Sequence, residues 1–497
     1  MRDLCLVLLA IILAACDPVT PSGGTDAAPG DVDGRSDSDA RPNQAPTGIE
    51  LSDSSIPERA APGTVIGTLS AIDPDSGDSH TFALSDSVGG RFAVEGNELR
   101  VADGDLLNYE AAVSHDVTIE VTDGAGGSTS ETFTIELIDV LEVANLNDTG
   151  PGSLRQAIAD VTPGETILFE LGLGGPIDLQ TPLVISKNLL LRGNPGGNVL
   201  LNGRTVVRVL QVDTGAAVTL QDLVIQQGSA SSGACVTNSG ELTLERVAVR
   251  SCRVSSSSGR GGGVQNFGTL AVVDSVFEQN AAFNGGGITN DNGRLDVIGS
   301  TFVSNTTTGN SAGAILSDST QGATIINSTF VSNEAVGGVG GAIAVFGGQI
   351  AVVHCTVTDG KADRGGGIYV GGAETLTIRG TIVANNSVVD PGTGTGPDIQ
   401  TDGTTISNGY NVVTVGGGSG LVNGTNNDQV NVTQPMNPLV NNGGPTPTRT
   451  INTNTPAYNS IPTADCLDDA GDPLTVDQRG QPRPANGSCD AGAVEIQ

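Results

Sequence analysis

The sequence predicts an all-β protein: a right-handed parallel β-helix, that is a solenoid, preceded by a small β-sandwich. The first observation behind this is internal repetition. An apolar residue follows a run of small residues at Val236, Val264, Ile288, Ile315, Ile343 and Ile368, at intervals of 28, 24, 27, 28 and 25. A second apolar anchor comes 13 to 15 residues after each, at Val249, Phe277, Phe302, Phe330, Val357 and Ile382. A fixed period of this size marks coils stacked on one another. The second observation is composition: 71 glycines, no tryptophan and 3% aromatics describe a turn-rich repetitive chain, not one built around aromatic pockets. The third is that residues 47–139 carry short alternating runs between Gly, Asp and Ser turns, the pattern of a small sandwich.

The chain opens with Arg2 and an apolar run over residues 4–15, a charged start and short hydrophobic core that read as a secretory signal over residues 1–15. The run ends Leu13-Ala14-Ala15-Cys16, which resembles the lipobox of bacterial lipoproteins. The resemblance implies cleavage before Cys16, acylation of that cysteine and a membrane as partner through the lipid anchor. The expected location is the cell envelope, at the outer membrane or cell surface. Asp17 retains some Gram-negative lipoproteins on the inner membrane, so the choice of membrane stays open. Residues 16–46 are rich in Asp, Pro, Gly, Ser and Ala with scarcely a large apolar side chain, and read as a disordered anionic tether. At about 5–6 Å × √n its reach is on the order of 30 Å.

In the sandwich segment the runs are Val65-Ile66-Gly67-Thr68-Leu69, Phe92-Ala93-Val94, His115-Asp116-Val117-Thr118-Ile119-Glu120-Val121 and Thr132-Phe133-Thr134-Ile135-Glu136-Leu137. Ile56-Pro57-Glu58, Asp73-Pro74-Asp75, Leu107-Asn108-Tyr109-Glu110 and Val121-Thr122-Asp123 stand in the order and spacing of a cadherin-like domain, which residues 47–139 resemble. The resemblance implies calcium, with Asp73, Asp75 and Asp123 at one pole and Glu58 and Glu110 at the other. Clustered carboxylates suit a hard cation that takes six to eight oxygens. The chain departs from the family at Asn108, where an aspartate is usual, and after Asp139, where Val140-Leu141-Glu142 stands in place of the linker. The same carboxylates also read as solvated turn residues.

Residues 142–430 read as the β-helix. Three short strands per coil are expected, with glycines at corners that need positive φ. Asn280, Asn305 and Asn333, each three residues after a phenylalanine, are expected to form a ladder at the bend. The Phe-x-x-Asn and Gly-Gly-Ala-Ile units resemble the repeats of polymorphic outer-membrane proteins, a resemblance that implies a surface role in adhesion. The segment from Asn147 to Ile158 is similar to the opening of many bacterial surface β-helices. Ser153 is placed to cap a short helix carrying Leu154, Ala157, Ile158 and Val161 over the open end of the stack. Residues 431–497 resemble the choice-of-anchor Q domain that closes such helices.

Five cysteines remain beyond Cys5 and Cys16. In an oxidising compartment Cys466 and Cys489 are the preferred disulfide, Cys235 and Cys252 a second pair, and Cys355 a buried thiol. The histidines, His80, His115 and His354, are scattered and read as ordinary strand or turn residues. A net charge of −33 repels phosphates, so nucleic acid is excluded as a partner. A surface glycan or a protein ligand is the expected partner, and oligomeric state stays open. Parallel β-helices also carry polysaccharide lyases and hydrolases, which need paired carboxylates or a carboxylate-and-base set. The local candidate is Asp359, Lys361, Asp363 and Arg364, expected on one charged coil corner. Charged turns are common and fold alone does not give activity, so the sequence favours a binding or structural role over an enzyme.

Overall fold

The computed structural model describes residues 43–497 apart from 76, 110, 195, 197, 391 and 393. The expected signal segment of residues 1–15, the expected acylation site Cys16, most of the expected tether and Glu110 lie outside the described residues. The chain forms two compact units, the first ending at Leu137 and the second running Ile138–Gln497.

The first unit is a sandwich of two four-stranded sheets. One holds Gly48–Leu51, Val65–Ile72, Glu98–Val101 and Phe92–Glu95; the other holds Ser55–Pro57, Ser128–Ile138, Ser114–Asp123 and His80–Leu84. Side chains alternate across a strand, so the period-two run in Ser114–Asp123 sends Val117, Ile119 and Val121 wholly inward. They meet Ile66, Leu69 and Leu99 from the facing sheet in one apolar core.

The second unit is a parallel solenoid, with four faces among the described residues. Face A has eleven strands, from Leu141–Val143 to Thr404–Ser407; face B has eleven, from Gly175–Asp178 to Gln429–Val430. Face C has nine, from Leu183–Ile185 to Ile399–Thr401, and face D seven, from Ser229–Ala230 to Ser387–Val388. Register along each face is coil on coil. Phe277 pairs with Phe302 and Phe302 with Phe330, their rings stacked at 4.8 and 4.9 Å. Like residues recur vertically because each strand bonds to the same strand of the next coil.

The asparagine ladder forms: Asn280 Nδ2 donates to Asn305 Oδ1 at 2.9 Å and Asn305 Nδ2 to Asn333 Oδ1 at 3.0 Å. Each amide also donates to a carbonyl of the preceding coil, Asn305 to Phe277 O at 2.9 Å. A second ladder, absent from the sequence reading, links Asn238, Asn266 and Asn290 at 2.7 Å per step.

Face D corrects the expectation of three strands per coil. After each ladder asparagine the chain stays extended, as in Ala281–Asn284, Thr306–Ser311 and Glu334–Val339. The ladder satisfies the bend, so pairing resumes at once. The inward column here is Ala282, Thr307, Ala335 and Ala362, too small to show as a hydrophobic run.

The helix Leu154–Asp160 is capped by Ser153, whose Oγ accepts from Gln156 N, and it buries Leu154, Ala157 and Ile158 in the same core as Val143 of the first face A strand. The tail, residues 431–497, lies along face B and reaches the last coil. Thr301 Oγ1 donates to Pro447 O at 2.6 Å, Asn327 Nδ2 to Val476 O at 2.9 Å, and Ala493 N to Thr356 Oγ1 at 3.0 Å. Among the outward residues of face B, Thr301, Thr329, Thr356 and Ile382 are buried on the side where the tail lies. Ile451, Ala457 and Ile461 pack with Ile382 and Val412 in a second apolar cluster on that side.

Candidate functional site

At one end of the sandwich three carboxylates converge. Asp73 follows the strand Val65–Ile72, Asp78 lies in the turn before His80–Leu84, and Asp123 ends Ser114–Asp123. One oxygen from each lies within 4.8 Å of the others. Asp123 is buried and held by its surroundings: Asn43 Nδ2 donates to Oδ2 at 2.8 Å, and the amides of Ala125 and Gly127 donate to Oδ1 at 2.8 Å. His80 Nε2 lies 2.8 Å from Asp73 Oδ2, so this histidine has a partner the sequence reading did not assign. The Asn43 hydrogen bond holds the Asp123 carboxyl below its ordinary value, and the His80 bond does the same for Asp73. Both are ionised at neutral pH.

Asp75, expected in this set, is not one of the three. Its Oδ2 accepts from Gln44 N at 2.6 Å, while its own amide donates to Asp73 Oδ1 at 2.8 Å. Asp78 takes the expected place; its signal in the sequence is the third acid in Asp73-Pro74-Asp75-Ser76-Gly77-Asp78. Glu58 is buried and its Oε2 accepts from Tyr109 N at 2.9 Å, which ties down the segment after Leu107. Glu110 lies outside the described residues. The donor chemistry fits a hard divalent cation in part: three close carboxylates supply the charge, and further oxygens would complete six to eight ligands.

The residues Asp359, Lys361, Asp363 and Arg364 do not form one charged corner. Lys361–Arg364 is a strand of face D with Ala362 turned inward and wholly buried, so the flanking charges point outward along a sheet. Asp359 is engaged by Arg449 of the tail. Asp363 Oδ1 accepts from Gly337 N at 3.3 Å, and Arg364 Nη2 reaches both oxygens of Asp402 at 2.6 and 2.8 Å. The Arg364 guanidinium also lies 5.2 Å over the Tyr369 ring. Asp402, in the next coil, is held low by Arg364 first and Tyr369 second.

Two further charged sets went unread in the sequence. On face C, Arg260 bridges Asp291 and Asp318, which are register partners, and Gln265 Nε2 donates to Asp291 Oδ2 at 2.8 Å. Burial raises the Asp291 carboxyl. Beneath the tail, Arg483 is fully buried 3.2 Å from Glu495, and its Nη2 donates to Gly492 O at 2.9 Å. These groups lock the tail to itself and to face B. Cys235 is bonded to Cys252 and Cys466 to Cys489, while Cys355 is a buried thiol that burial pushes up to about 12.

Comparison with known proteins matches two family models: "Cadherin domain" over residues 52–140 and "Right handed beta helix region" over residues 207–380. A curated relative, "Probable pectate lyase C" of Aspergillus flavus, is 37% identical over 67 residues. That stretch covers 13% of this chain and 15% of the relative, so the chain spans less than a sixth of that protein's length.

Proposed function

We propose that this chain is a lipid-anchored protein of the cell envelope, at the outer membrane or cell surface. In this reading it presents a rigid β-helix for adhesion, ligand binding or envelope structure, and its cadherin-like module responds to calcium. The observation that carries it is the group Asp73, Asp78 and Asp123, whose oxygens lie within 4.8 Å of one another in a module similar to the cadherin domain. Those three residues would hold calcium, with Asp75 beside them; Glu58, whose Oε2 accepts from the Tyr109 amide, and Glu110 stay candidates at the other pole. The anchor rests on Cys16 and its lipobox, and the tail's part on its likeness to choice-of-anchor Q domains.

Calcium titration of the full chain, followed by differential scanning calorimetry, tests the module. For sites at about 10⁻⁴–10⁻³ M, roughly 10 mM calcium stabilises by about 1.4–2.7 kcal/mol. The shift is expected to vanish in Asp73→Asn with Asp123→Asn. A calcium shift that survives both substitutions, or none in the native chain, defeats the assignment. A glycan and cell-surface binding array with and without EDTA tests the adhesive role, and retention identical with and without the module removes calcium from it.

A second reading, a surface polysaccharide lyase or glycoside hydrolase, is favoured by the short match to a protein named as a pectate lyase and by a fold that polysaccharide lyases share. Release of unsaturated or reducing sugars by purified protein, abolished by replacing Asp359, Lys361 or Asp363, would establish it. The dispersal of those side chains onto separate partners weighs against it.

A further inference from the structure

At the last coil of the solenoid an open recess of about 710 Å³ lies between the end of the stack and the tail. Tyr410, Asn423, Asn427 and Gln429 line it from the stack, Pro456 and Tyr458 from the tail. The chain has four tyrosines and no tryptophan, so half of its large amphipathic rings meet in this one place.

Tyr410 stands at the left-handed corner that Asp222, Arg246, Asp274, Gly299, Asn327, His354 and Gly380 fill in earlier coils, all at positive φ. The last coil puts tyrosine there, at φ 62°. Its backbone and its ring tip are both held: Tyr410 N donates to Asn426 O at 3.0 Å, and its hydroxyl donates to Asp465 Oδ2 at 2.5 Å. The two walls are tied together by Gln429 Nε2 donating to Pro456 O at 2.7 Å. The recess is therefore formed before any ligand arrives.

The lining selects by chemistry. No lysine or arginine is among the lining residues, and the carboxylate there, Asp428, is buried with its Oδ1 accepting from Asn411 N and Nδ2. An anion finds no countercharge among these lining residues. Exposed amides at Asn423, whose Oδ1 accepts from Val430 N at 2.9 Å, and at Asn427 offer polar groups that a purely apolar ligand would leave unpaired. Half-buried tyrosines give apolar faces with polar tips. A ligand with hydroxyls around a ring whose C–H faces are apolar satisfies both, and the volume lies in the range of small-ligand sites. We infer that this recess binds a neutral saccharide at the C-terminal end of the β-helix. The inference rests on reading the chain as a binding protein but uses a site in the second unit. Failure of calcium binding in the first unit leaves it standing, and its own failure leaves the calcium-responsive module standing.

The test is titration of the full chain with neutral gluco-, manno- and xylo-oligosaccharides, with oligogalacturonate as the acidic comparison. Without tryptophan, intrinsic emission comes from the four tyrosines, two of which line the recess. At least one neutral series is expected to give a saturable change. Tyr458→Ala is expected to weaken binding about tenfold, and Tyr458→Phe to retain most of it, since loss of one packed aromatic face is a large part of a small interface. Asn427→Gly, in an exposed position already at φ 60°, removes an amide without strain and is expected to weaken binding comparably with the fold intact by circular dichroism. Tyr369→Phe, on another face, leaves binding unchanged. No saturable binding to any neutral series, binding untouched by both Tyr458→Ala and Asn427→Gly, or a preference for oligogalacturonate overturns the proposal.

Discussion

Replacing Phe302 by alanine removes the middle of a three-ring column. The side chain is wholly buried, stacked at 4.8 Å on Phe277 below and 4.9 Å on Phe330 above. A buried Phe→Ala change costs about 3–5 kcal/mol through lost transfer energy and the cavity left behind. Stacked aromatic pairs add roughly 0.5–1.5 kcal/mol each beyond burial. Phe277 has Val249 as its other register partner and Phe330 has Val357, so each has one aromatic neighbour. Phe302→Ala should therefore exceed Phe277→Ala by about 0.5–1.5 kcal/mol, the value of one stacked pair. Guanidinium unfolding followed by far-ultraviolet circular dichroism measures the difference. Because coils interact chiefly with their neighbours, hydrogen exchange should accelerate first in Val276–Glu278, Thr301–Val303 and Thr329–Val331. Phe267, 45% exposed, is the control and should cost little as alanine. A Phe302→Ala effect no larger than that of Phe267→Ala, or loss of protection spread evenly over the unit, would refute the stacked-column account.

Two other outcomes follow from the buried polar groups. Asn305→Asp keeps size but removes the amide that donates to Phe277 O and Asn333 Oδ1, and it buries a charge; it should destabilise the second unit by about 2–4 kcal/mol in the same unfolding assay, and a neutral result would mean the ladder matters only for shape. His354 is held well below its ordinary value of 6.5, first by burial and then by Arg483 and Arg379. The unfolded chain thus takes up this proton before the folded one, so the contribution is complete above pH 6.5 and is lost as pH falls below it, by up to about 1.4 kcal/mol per pH unit. Asp490 and Glu495, raised by burial, act in the opposite sense in a more acidic range. The difference between the native chain and His354→Gln isolates the histidine, and equal pH slopes for the two would contradict its burial as a neutral ring.

The repeat, the phenylalanine column and the asparagine ladder at residues 280, 305 and 333 were legible in the sequence. In a parallel stack the same side chain serves the same rung in every coil, so a vertical contact appears as a horizontal period. The sandwich was legible for a related reason, since its buried valines and isoleucines recur at every second residue in Ser114–Asp123. Face D was not, because alanine and threonine fill its inward column and leave no hydrophobic signal. Asp78 joined Asp73 only through the turn between them, while Asp75 accepts from Gln44 N outside the three-carboxylate group. Tertiary structure alone decided where the tail lies. Thr301 meets Pro447 across 146 positions and Gln478 meets Thr329 across 149, contacts that no local pattern announces. Periodicity records what neighbouring coils share; docking of a non-repeating segment depends on which face offers hydroxyls and on buried charges, such as Arg483 and Glu495, that become partners only once the chain has turned back on itself.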